Sequence, residues 1–126
     1  VGTRVLSSGE TATAPVTVAS TSLDTLDTFQ PVGSADLVRE DGHVDLAVRT
    51  EPVAQQDGYL EVWLINRDLT RMVSVGVLAT ESGDQSFTIP QSLIDQGYVI
   101  VDISREGYDD KPQHSGDSLM RGTLLT

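Results

Sequence analysis

Cysteine is missing from the chain altogether. With it go disulfide frameworks, thiol nucleophiles, thiolate zinc sites and iron–sulfur clusters. The absence is compatible with an oxidising compartment without requiring one. Basic residues are scarce: eight Lys and Arg stand against nineteen Asp and Glu, a net charge of −11. Such a charge repels phosphate backbones and anionic headgroups, which argues against nucleic acid and peripheral membrane as partners. Aromatic side chains make up 5 % of the chain, with a single tryptophan, so platforms for stacking sugars are few. Long hydrophobic runs are lacking too. The longest, Val62-Trp63-Leu64-Ile65 and Tyr98-Val99-Ile100-Val101, cannot span a bilayer, and no stretch reads as a signal peptide. What 126 residues can build is one domain around one core, without metal or disulfide staples.

What is present reads as strands. Val1 to Ser22 is rich in Ser, Thr, Ala and Gly and shows no sustained period. It is expected to be a flexible tether, or ordered only as a short edge segment around Val16-Thr17-Val18. From Leu23 to the end, short alternating segments predict a separate folded domain. Val44, Leu46 and Val48 alternate with polar neighbours, and Tyr59 to Ile65 is apolar on both faces. Val73, Val75 and Val77 share one face, with Ser74 and Gly76 opposite. Phe87 and Ile89 mark a strand ended by Pro90. Val99, Val101 and Ile103 point inward while Asp102 and Ser104 face out, and Leu119 to Leu124 closes the chain. Asp41-Gly42, Asp57-Gly58, Ser82-Gly83, Gln96-Gly97, Glu106-Gly107 and Ser115-Gly116 supply the reversals. One helical turn, Gln91 to Ile94, is expected after Pro90. The pattern predicts an all-β, antiparallel β-sandwich, immunoglobulin-like or similar, with residues 1–22 as linker and 23–126 as the domain.

Chemistry is harder to find. Asp109 and Asp110 are adjacent, which on a strand puts them on opposite faces rather than across a cleft, so a solvated loop is the plainer reading. His43 follows a hairpin turn and reads as an exposed turn residue. His114 lies in an acidic stretch where Asp109, Asp110 and Asp117 could offer oxygens to calcium. Lys111 and Pro112 interrupt it, and it lacks EF-hand spacing. No serine stands in a Gly-x-Ser-x-Gly elbow, and no Gly-rich phosphate loop occurs. Trp63 reads as a core anchor. These residues point to no enzyme, no cofactor and no metal centre.

Two stretches carry more. The first is Gly58-Tyr59-Leu60-Glu61-Val62-Trp63-Leu64-Ile65, then Val73-Ser74-Val75-Gly76-Val77-Leu78. The second runs from Tyr98 through Ser104-Arg105-Glu106, then Asp109, Pro112, His114-Ser115-Gly116-Asp117-Ser118 and Arg121-Gly122-Thr123-Leu124. In this order they resemble the C-terminal domain of anti-sigma-K factors, over about Leu37 to Leu124. Gly107 stands where that family often has proline after the glutamate. The motif residues carried over are Tyr59, Trp63, Leu64, Gly76, Glu106, Pro112, His114, Ser115, Gly116, Ser118, Arg121 and Gly122, with a structural or signal-receiving role.

The resemblance implies an extracytoplasmic sensor or gating domain of a single-pass membrane protein. Its cytoplasmic part and transmembrane helix would lie outside this chain, and Val1 to Ser22 would be the juxtamembrane segment. The implied partners are a sigma factor of the extracytoplasmic-function type, held by the absent cytoplasmic part, and the site-1-type and intramembrane proteases that release it. A rival reading is a secreted ligand-binding or adhesive β-sandwich, for carbohydrate or calcium. Within the motif, Ser115, Ser118 and Arg121 are expected to pin the last strand, with Gly116 and Gly122 permitting close backbone approach. Arg121 is expected to pair with a carboxylate such as Glu106, with an exposed arginine on an edge strand as the alternative.

Overall fold

The structure, a computed structural model, describes residues 14–52, 58–79, 84–107 and 113–126. In chain order its strands are β1 (Val16–Thr25), β2 (Pro31–Glu40), β3 (His43–Thr50), β4 (Tyr59–Asn66), β5 (Met72–Leu78), β6 (Asp84–Ile89), β7 (Tyr98–Glu106) and β8 (Ser118–Thr123). A single turn of helix, α1 (Gln91–Asp95), follows Pro90 between β6 and β7. The strands form one antiparallel eight-stranded sheet in the order β5-β4-β7-β8-β1-β2-β3-β6. The expected all-β class holds.

Two four-stranded halves make up this sheet. They join where β8 and β1 share only Asp24↔Arg121 and Thr25↔Met120, and a bridge between Ser20 and Leu125 adds to the seam. Leu37 and Leu46 from one half and Leu64 and Val101 from the other meet in a common core. At the far ends β5 and β6 approach each other and the sheet nearly closes. There Gly76 lies against the Phe87 ring, where a Cβ would come within 2.9 Å. The Gln85 amide also crosses this gap, donating to the Val77 carbonyl at 3.1 Å and accepting from the Ala79 N–H at 2.9 Å.

Local chemistry explains the best-defined connection. Asp41 and Gly42 both have positive φ, 50° and 80°, between the paired residues Glu40 and His43. That is the two-residue hairpin loop whose twist suits adjoining antiparallel strands. His43 is exposed beside it.

Three expectations need correction. The segment from Val16 to Ser22, expected as tether, belongs to β1, which pairs with β2 from Val16 to Asp24. Val16 and Thr17 pair with β2 alone, as an edge segment would, while β8 lies on the other side only at Asp24 and Thr25. The boundary drawn after Ser22 therefore moves back to Val16 at the latest, and residues 1–13 lie outside those described. Small Ala and hydroxyl side chains conceal the alternation, and a register shift between Thr17 and Ala19 breaks it. Next, β2 is a full strand that the sequence pattern had not marked, because Gly33 and Ala35 occupy positions where larger apolar residues would have revealed the period. Finally, β5 does not keep Val73, Val75 and Val77 on one face. A shift between Val62 and Trp63 opposes Val62 to Gly76 but Trp63 to Ser74. One extra residue on β5 turns Val77 out to 54 % exposure and Gly76 inward.

Candidate functional site

The site is built on the outer face of the half formed by β5, β4, β7 and β8. Along β7, Val101 and Ile103 enter the core, so Asp102, Ser104 and Glu106 lie on the opposite face. Asp102 is opposite Trp63 on β4 and Arg121 on β8, so the three form one row across the sheet. Facing out does not expose them, as the sequence had implied it would. Asp102 and Ser104 are both 0 % accessible and Glu106 is 4 %. The segment from Gln113 to Asp117 returns over this face, and its own polar groups complete the burial.

Asp102 accepts from three side chains. His114 Nε2 is 3.0 Å from Oδ1, and the Ser118 hydroxyl donates to Oδ2 at 2.7 Å. Arg121 donates to the same Oδ2 through Nε at 2.9 Å and Nη2 at 2.7 Å. A buried carboxylate is tolerated only with such compensation. The tautomer of His114 follows from the loop: the Gly116 N–H donates to Nδ1 at 2.8 Å. Nε2 therefore carries the proton and gives it to Asp102.

A second chain of bonds runs beside the first. Trp63 Nε1 donates to Ser104 Oγ at 2.9 Å, and Ser104 donates to Glu106 Oε2. The same oxygen accepts the Ser115 N–H at 3.2 Å. Ser115 Oγ donates to the Arg105 carbonyl at 2.6 Å and accepts the Asp117 N–H at 3.0 Å. Arg105 N–H in turn reaches the Asp117 carbonyl at 3.0 Å, prolonging the β7–β8 pairing into the loop. The His114 and Trp63 rings close the gap between the chains, centroids 5.0 Å apart and tilted by 58°.

The structure thus gathers Trp63, Glu106, His114, Ser115, Ser118 and Arg121 in one cluster. Gly116 lies in the same loop at φ 86°, and no atom crowds the position of its missing Cβ, so it answers a conformational need, not a close approach. Gly122 is the close approach: a Cβ there would meet the Ser22 carbonyl at 2.1 Å. Leu64 belongs to the main core and Gly76 to the β5–β6 gap, away from the cluster. Tyr59 opens β4 opposite Glu106. Pro112, Asp109 and Asp110 lie outside the described residues.

Two expectations change here. Arg121 pairs with Asp102, not Glu106, because register sets Asp102 directly across from it. Glu106 is instead occupied by Ser104 and Ser115. Trp63 is buried but outside the main core, on the outer face with its N–H committed to Ser104. Asp102 and Ser104 were missed as site residues. The signal was present: two polar residues alternate within the most apolar strand of the chain, and polar groups so placed require partners. Among the described residues no group of three His, Asp or Glu side chains gathers to hold a metal ion.

An all-β module carrying a buried polar clasp, its donors and acceptors turned on one another, is the class this geometry defines. The chain belongs to the family described as anti-sigma-K factor rskA, C-terminal, whose model matches residues 3–118. Anti-sigma factors of this kind are regulatory, membrane-associated proteins whose partner is a sigma factor. No curated protein and no solved structure gave a match. Among the described residues no helix is long and apolar enough to cross a membrane.

Proposed function

We propose that the chain is the extracytoplasmic, non-catalytic gating domain of a membrane-anchored anti-sigma factor. In this reading it controls release of an extracytoplasmic-function sigma factor by restricting a first cut outside the membrane, which an intramembrane protease then follows. The observation that carries it is the family match over residues 3–118. The geometry supports it in two ways. Asp102, Glu106 and their donors spend their bonding capacity on one another, which suits a structural clasp better than a reaction centre. That clasp also fixes β8, and β8 is the strand against which the end of β1 pairs. The gated cut then falls within β1, which a protease can address only when β1 leaves the sheet.

The test begins with the coding sequence upstream of Val1. An apolar stretch of about twenty residues is required there. Its absence would remove the proposal. With the stretch present, a reporter active only outside the cytoplasm, fused after Thr126 in the full-length protein, should be active. An inactive reporter would reverse the orientation and end the gating model.

A further inference from the structure

A cavity of about 380 Å³ opens on the outer face beside the clasp. Its size falls in the range of small-ligand sites. Leu26, Ile65, Leu69 and Met72 give it an apolar side, and Arg71, Arg121 and His114 a polar one. Among the described residues no carboxylate lines it, although the chain carries a net charge of −11.

Its two guanidinium groups are not equally committed. Arg121 spends Nε and Nη2 on Asp102, while Nη1 has no partner among the described residues. Of Arg71, only backbone groups are hydrogen-bonded among the described residues. The acid nearest to it in sequence, Asp68, is held by the Thr70 hydroxyl at 2.6 Å. Arg71 feels the Asp68 charge, yet its guanidinium donors remain available among the described residues, which suits a single negative head.

The apolar side is presented at a cost. Leu69 has φ 63°, a conformation unfavourable for a branched side chain, and is 57 % exposed. The Asn66 side chain holds that turn by accepting the N–H groups of Thr70 at 2.9 Å and Arg71 at 3.0 Å. Leu26, immediately after β1, also lines the cavity and is 40 % exposed.

We propose that this pocket binds a small amphipathic carboxylate, its head taken by Arg71 and the free edge of Arg121, its chain lying on Leu26, Ile65, Leu69 and Met72. A bound acid would touch both Leu26, at the end of β1, and Arg121, in the clasp. Occupancy would therefore hold the β1–β8 seam together. The binding site stands independently of the anti-sigma reading.

Calorimetric titration of the 126-residue chain with octanoate tests this, with 1-octanol, acetate and phosphate as comparison ligands. The expected result is saturable one-site binding of octanoate, weakened about ten-fold or more in Arg71→Gln, since a charge-assisted hydrogen bond is lost. Leu69→Ser should weaken it as well. Neither variant is in the clasp, so the melting temperature without ligand serves as the check on folding. Absence of saturable octanoate binding overturns the proposal. So does undiminished affinity in a folded Arg71→Gln, or equal affinity for 1-octanol or phosphate.

Discussion

Arg121 on β8 gives two N–H groups to a single carboxylate oxygen of Asp102 on β7, at 2.7 and 2.9 Å, and Asp102 is wholly buried while Arg121 keeps a third of its side chain in solvent. The pair is thus asymmetric. Removing the arginine strands a buried charge, whereas the arginine itself can turn to water. Arg121→Met should destabilise the fold by about 3–5 kcal/mol, the usual cost of orphaning a buried ion. Adding Asp102→Leu should restore part of that loss, giving a clear coupling in a double-mutant cycle of urea melts. Strict additivity would mean the two groups do not sense each other.

Gly122 and Gly116 should respond to alanine for different reasons. At Gly122 the new methyl would meet the Ser22 carbonyl at 2.1 Å and Thr21 Oγ1 at 2.6 Å. Backbone cannot swing aside as a side chain can, so β8 must part from β1. Overpacking of this kind costs about 1–3 kcal/mol or more, and amide exchange along β1 should accelerate. At Gly116 nothing is within 4 Å, and only the positive φ of 86° opposes a side chain. That costs about 1–2 kcal/mol, with β1 exchange unchanged.

How far the chain could be read follows from where its side chains are large. β3 and β7 announced themselves by alternation, and β4 by an apolar run on both faces. β1 and β2 escaped because Gly33, Ala35, Ala19 and hydroxyl residues fill inward positions without an apolar signature. The faces of β5 were misassigned because a bulge leaves no mark in residue type. Within the site, the motif pointed to His114, Ser115 and Arg121, yet not to Asp102, whose role depends on the β7–β8 register. Alternation specifies a strand's faces, and only pairing specifies its neighbours.

Trp63 is the chain's one tryptophan and reports directly on the clasp. It is 5 % exposed, with the His114 ring 5.0 Å away. His114→Ala should uncover the indole, shifting its emission to the red and raising acrylamide quenching. Trp63→Phe keeps most of the apolar area but loses the donor to Ser104. A cost of about 0.5–1.5 kcal/mol is expected, typical of one hydrogen bond.

Asp68 supplies a pH test away from the clasp. The Thr70 hydroxyl is the main influence holding its carboxyl below the ordinary 3.8, helped by the Thr70 N–H and the nearby Arg71 charge. A depressed folded value means that ionised Asp68 favours the native state above the unfolded pKa, and that this support fades as pH falls through the folded one. Thr70→Val should bring the Asp68 titration, followed by carboxyl NMR, back up toward 3.8. An unmoved titration would assign the shift to another cause.

Limited proteolysis addresses the gating proposal through β1. Strand β1 pairs with β2 from Val16 to Asp24 and with β8 at Asp24 and Thr25. Cutting within it requires freeing it from β2 and, at its end, from β8, an event far less populated than opening of unpaired chain. The resistant fragment should therefore begin upstream of Val16, not near Leu23. Weakening the clasp should change that. In Arg121→Met, β8 loses its side-chain anchor to β7, and β1 loses the support of β8, so cuts between Val16 and Ser22 should appear at protease levels the native chain withstands. Mass spectrometry of the fragments over time reads both outcomes. If Arg121→Met leaves the N-terminus of the resistant fragment where it was, the clasp does not control access to the first strand, and gating through it fails.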